Sequence, residues 1–132
     1  MTKKAVLHAH RHDAFQHQGG RCYYCRLPMW ERDPQSFREQ YSIPSKVSKW
    51  LQCTAEHLTA QRDGGRSTRE NIAAACAFCN SRRHRGRAAS APSPLAFLRH
   101  VQKRIRNRRW HPAVSLLVDA LPEISGQQGR TD

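Results

Sequence analysis

Acidic side chains are scarce in this sequence: ten Asp and Glu stand against 23 Lys and Arg, a formal net charge of +13 at neutral pH. Such an excess says little about fold but much about partners, and a polyanion is the expected one, with nucleic acid ahead of an anionic membrane surface. Long apolar runs are missing as well. No stretch of eighteen apolar residues occurs, so no bilayer-spanning helix and no membrane association are expected. The opening residues, MTKKAVLHAHRHDAF, have two lysines with no seven-residue apolar stretch behind them. No secretory signal is read there, and a cytoplasmic location is expected. Internal repeats are lacking, and so is any recognition-helix or finger pattern for reading base sequence. Hydrophobic residues make up 38% of the 132. A single domain with so thin a core commonly needs a staple.

The cysteines supply one. Cys22 and Cys25 form one C-x-x-C pair, Cys76 and Cys79 form another, and Cys53 is left over. In a reducing compartment such pairs read as metal sites before disulfides. A two-residue gap lets both sulfurs of a knuckle face one ion, and four thiolates close a tetrahedral zinc site with no position left for substrate. Zinc is therefore expected as a structural cofactor that ties two distant parts of the chain together. Cys53 reads as a small buried hydrophobe rather than a nucleophile.

Residues 1–20 are polar, basic and rich in histidine (His8, His10, His12, His17), and read as a flexible arm. Asp33-Pro34 reads as a helix cap followed by proline at the first helical position, opening a short helix to about Tyr41. The stretch from Trp50 to Leu58 reads as a strand whose alternation sends Glu56 and His57 to opposite faces. Asp63-Gly64-Gly65 marks a loop. Asn71 to Cys76 suits a second, buried strand, and from Cys79 the pattern turns helical, with Gly86 as terminator. Ser93-Pro94 caps an amphipathic helix to about Trp110, with Leu95, Leu98, Val101 and Ile105 on one face. A last short helix is expected from Ala113 to Leu121.

The order C-x-x-C, Glu56-His57, Gly64-Gly65, Asn71-Ile72, C-x-x-C-Asn80 and a basic helix resembles the HNH endonucleases, specifically their four-cysteine ββα-metal branch. The resemblance covers about residues 22–87. It implies an α+β fold: a small ββα-metal core stapled by a four-cysteine zinc site, with a basic C-terminal amphipathic helix added. The expected division is an arm (1–20), a nuclease core with its zinc knuckles (21–88), a helical extension packed on the core (89–121) and a tail (122–132). It further implies His57 as general base, Glu56 as acidic ligand of a catalytic divalent ion, and Asn71 as the residue that holds the loop and orients the histidine. Members of the family more often carry aspartate at the Glu56 position. Asn80 and His84 both qualify for the remaining ligand position, since a four-residue step puts them on one helix face. Oxygen ligands suit Mg²⁺ or Mn²⁺, and a histidine widens the choice to other divalent transition metals.

Between Ser81 and Trp110 lie ten cations and no anion. A solvated helix normally mixes signs, so this run reads as a phosphate track. Arg82, Arg83, Arg85 and Arg87 beside the ion, and Lys103 and Arg104 beyond it, are the candidate contacts. The function expected is metal-dependent hydrolysis of phosphodiester bonds, most readily in double-stranded DNA. The alternatives are a non-catalytic zinc-containing nucleic-acid-binding module and an RNA-acting factor.

Overall fold

Two antiparallel strands lie at the centre of the chain, which a computed structural model describes over residues 2–85 and 91–117. Strand β1 (Cys53–His57) pairs with β2 (Ile72–Cys76), running from Cys53 opposite Cys76 to His57 opposite Ile72. The alanines of β2 are poor strand formers, yet all five of its residues are buried. Small side chains let the layers on either side approach the backbone closely, so packing overrides propensity. β1 is shorter than its sequence pattern suggests, because Lys49–Leu51 close into a 3-10 turn just before it.

Helix α1 (Lys3–His17) replaces the expected flexible arm. Thr2 caps it through a hydrogen bond from the Ala5 amide at 3.0 Å, and Ala14 and Phe15 pack on the core. What fastens it is Gln18, whose side-chain amide pairs with the outer edge of β2. Its Nε2 donates to the Ala74 carbonyl at 2.8 Å, and the Ala74 amide donates to its Oε1 at 3.0 Å. Helix α2 (Pro34–Tyr41) starts as expected, with Asp33 accepting from the Ser36 amide at 3.0 Å. Helix α3 (Ser45–Ser48) follows Pro44.

Directly after β2, helix α4 (Ala77–His84) begins with Cys76 as its cap, which completes a strand–strand–helix unit. Helix α5 (Pro94–Arg106) is capped by Ser93 and buries Phe97, Val101 and Ile105, a stripe at four-residue steps. Leu95, expected on that face, is instead 55% exposed. Helix α6 (Ala113–Leu116) ends earlier than expected, and Ala113, Val114 and Leu117 join the core. Gly86, the expected terminator of α4, and Arg87 lie outside the described residues, as does the tail. The fold is thus mixed helix and small antiparallel sheet, an α+β arrangement.

Candidate functional site

Four sulfurs converge under the sheet. Cys22, Cys25, Cys76 and Cys79 are each 0% exposed, and their Sγ atoms all lie within 4.8 Å of one another. Zinc–sulfur bonds of about 2.3 Å in a tetrahedron put sulfurs about 3.8 Å apart, and the Cys25–Cys76 pair stands at 3.9 Å. The surroundings suit thiolates. The amides of Tyr24 and Cys76 donate to Cys22 Sγ, the Cys79 amide to Cys76 Sγ, and the Trp110 indole to Cys79 Sγ at 3.2 Å. Burial pushes the Cys25 and Cys79 thiols well above their ordinary range. Burial opposes ionisation of Cys22 too, but hydrogen bonds from the other three sulfurs outweigh it and carry that thiol well below. A bound dication would offset that burial and let the thiolate form of the sulfurs prevail. The donor set fits structural zinc. Cys53 stays apart, and burial pushes its thiol up to about 12, consistent with an inert core residue.

A second centre lies where β1 meets α4. Ala55, Glu56, His57, Ala60, Gln61, Arg62, Asn80 and His84 line a cleft of about 440 Å³. Strand alternation turns Thr54 and Glu56 toward α4, and residues three and four apart on the helix answer them. Asn80 Nδ2 donates to Thr54 Oγ1 at 3.0 Å and to the Ala55 carbonyl at 3.1 Å, which among the described residues leaves its Oδ1 as the free end of the amide. His84 Nε2 stands 3.0 Å from Glu56 Oε1. The other oxygen of Glu56 is taken: Tyr24 Oη donates to Oε2 at 2.7 Å and Arg83 Nη1 at 2.8 Å. Neighbouring ligands of a six-coordinate ion with bonds near about 2.1 Å stand about 3 Å apart, so Oε1 and the His84 nitrogen are spaced for one divalent cation. Glu56 would offer it a single oxygen.

Arg83 corrects a reading of the sequence. Expected as a phosphate contact, it is 2% exposed and keeps its guanidinium inside the protein. Nη1 reaches Glu56 and the His57 carbonyl, Nη2 the Leu58 carbonyl at 2.8 Å, and Nε the Pro92 carbonyl. It fastens the end of β1 to α4. Arg82 is exposed, but its guanidinium stacks over Phe78 at 4.5 Å and borders a different recess, with Phe97, His100 and Trp110. Arg85, Lys103 and Arg104 are exposed. Arg62, which sequence reasoning passed over, lies at the cleft itself.

His57 ends β1, half-buried, with Nε2 3.0 Å from Ser67 Oγ. Burial is the main influence lowering its pKa from the ordinary imidazole value, and His84 adds to this while Glu56 opposes it. Asn71 is not among the residues that line the cleft. Its Oδ1 accepts from the Thr59 amide at 2.8 Å, and its Nδ2 donates to the carbonyls of Thr59 and Arg66. It therefore cross-ties the loop that carries Ser67. The glycine pair has separate duties in that loop. Gly64 takes a left-handed φ of +91°, and a Cβ on Gly65 would sit 1.7 Å from the Thr59 carbonyl oxygen. Ser67 and Tyr24 were invisible as site residues in the sequence, since nothing local marks a hydroxyl that a distant strand will claim; Arg83 was marked, but as a phosphate contact.

Residues 43–86, about a third of the chain, match the sequence model of the HNH endonuclease family. Neither a curated protein nor a solved structure gave a significant match to the chain. The matched stretch spans Glu56, His57, Asn71, the second cysteine knuckle and the helix behind it, and the first knuckle meets the second in one buried four-sulfur cluster. Over residues 43–86 the chain is similar to the HNH endonuclease family.

Proposed function

We propose that this protein is a metal-dependent endonuclease that hydrolyses DNA phosphodiester bonds in the Glu56–His57–Asn80–His84 cleft. The observation that carries the reading is the convergence there of an imidazole beside a carboxylate oxygen and a nitrogen spaced for one cation. Glu56 Oε1, Asn80 Oδ1 and His84 Nε2 would hold the ion, which when bound supplies positive charge for a phosphoryl oxygen and the departing 3′-oxygen. In the tautomer that directs Nε2–H to Ser67, His57 keeps the lone pair of Nδ1 for the proton of the attacking water. Asn71 keeps the Ser67 loop in place, and thereby the ring. Arg62 and Arg85 are suited to hold neighbouring phosphates, with Lys103 and Arg104 extending the track. Mg²⁺ or Mn²⁺ fits two oxygens and one nitrogen, and the nitrogen admits other transition metals.

Nicking of supercoiled plasmid with Mg²⁺, Mn²⁺ or EDTA tests this. Wild type is expected to cut only with a divalent ion, and His57→Ala to lose at least about a hundredfold in rate, the low end for a general base. Equal cutting by both proteins, or none by wild type with any metal, would refute it. Engagement of Glu56 Oε2 by Arg83 favours a second reading, a binding module without catalysis. That reading requires duplex binding with no cutting under every metal.

A further inference from the structure

Tyr24 belongs to both centres. It lies between Cys22 and Cys25, is 0% exposed, and its amide donates to Cys22 Sγ at 3.4 Å. Its carbonyl accepts from Gln102 Nε2 of α5, and its ring meets Phe97 edge-on at 4.9 Å. The backbone and ring are thus fixed by the knuckle and by α5, while the hydroxyl crosses to Glu56 Oε2 at 2.7 Å. A phenylalanine would fill the same slot, so packing alone does not call for a hydroxyl there. Glutamate has one more side-chain torsion than aspartate, and an untethered carboxylate at this position would swing. Tyr24 and Arg83 together saturate Oε2 and turn Oε1 to His84 and the cleft.

We infer that Tyr24 is a positioning residue: by holding Glu56 Oε2 from a zinc knuckle, it orients Oε1 for a divalent cation and makes cation affinity in the cleft depend on the four-cysteine site. The inference rests on the reading of Glu56 as a cation ligand. Partners that orient a metal ligand without touching the metal typically contribute about 10- to 100-fold in affinity. A neutral donor that shares its oxygen with an arginine belongs at the lower end, about tenfold.

The test is Mn²⁺ binding to the full-length, zinc-loaded protein without nucleic acid, followed by the electron paramagnetic resonance signal of free Mn²⁺. Zinc content and the urea midpoint are recorded alongside. Wild type is expected to bind one Mn²⁺ that Glu56→Gln loses. Tyr24→Phe is expected to keep its zinc and its unfolding midpoint but bind Mn²⁺ about tenfold more weakly. Affinity within twofold of wild type would overturn the inference and leave the cation reading standing. Loss of zinc or of the fold in Tyr24→Phe would overturn it too, because the hydroxyl would then serve the fold rather than Glu56. Mn²⁺ binding absent from wild type, or unchanged in Glu56→Gln, would overturn the cation reading and the inference with it.

Discussion

Replacing Arg83 by methionine should unfold much of what holds β1 to α4, and the size of the effect follows from the burial. Arg83 and Glu56 are 2% and 1% exposed, so water cannot take over when one partner leaves. Removing one member of a buried ion pair costs about 3–5 kcal/mol, because the other charge stays behind uncompensated. The carbonyls of His57, Leu58 and Pro92 lose their guanidinium donors as well, which places the estimate toward the upper end of that range. Domains of this kind have about 5–15 kcal/mol in total, so a third or more of the stability is at stake. At about 3–5 °C per kcal/mol for a chain of this length, Tm should fall by about 10–20 °C. The assay is urea unfolding followed by tryptophan fluorescence with zinc present, supported by calorimetry. The double variant Glu56→Gln/Arg83→Met should recover part of the loss, since it leaves no orphaned charge. A loss below about 1 kcal/mol in Arg83→Met would refute the argument and return Arg83 to the set of exposed phosphate contacts.

Three further outcomes are expected. Metal analysis of the purified protein should find one zinc per chain, and chelation or Cys76→Ser should abolish cooperative unfolding because metal binding here is folding energy; less than about half an ion per chain would refute the four-sulfur site. In duplex-binding titrations by fluorescence anisotropy, Lys103→Ala and Arg104→Ala should each lower the salt slope by about 0.9, and an unchanged slope in both would remove α5 from the phosphate track. Burial lowers His111 from the ordinary imidazole value to about 4, with Cys22 opposing and Arg82 assisting. The unfolded chain takes up this proton below about 6.5 and the folded one only below about 4, so its stability is full above 6.5 and falls as the pH drops through that window, by about 3 kcal/mol. The difference between wild-type and His111→Asn stability curves should show this slope, and parallel curves would refute it.

What could be read from the sequence was whatever local chemistry decides. Asp33-Pro34 and Ser93-Pro94 announce helix starts because cap and first-turn proline act on their own neighbours. The C-x-x-C pairs announce a shared ion because few other arrangements satisfy four buried thiols. Asn80 and His84 fall on one face by helical period alone, and the structure brings both to the cleft. What could not be read depends on partners far along the chain. α1 has no fully buried residue and is held by Ala14, Phe15, one glutamine amide and the contacts of Arg11 and His12 with Glu31, too narrow an apolar face to register as amphipathic. The buried stripe of α5 runs through Phe97, which the Leu95–Leu98 pattern concealed. Arg83 sits in a run of exposed cations and differs from them only because Glu56, 27 residues upstream, claims it.

A two-stranded sheet has two edges, and each is a template on which another chain can add a strand. The β1 edge is occupied by Trp30, whose carbonyl accepts from the Cys53 amide at 2.8 Å. The β2 edge is closed by Tyr23 and by the side chain of Gln18, a single amide imitating a peptide unit opposite Ala74. Fastening α1 thereby also covers part of the sheet edge: without Gln18 the outward amide of Ala74 would need another acceptor, while Tyr23 would still hold its carbonyl.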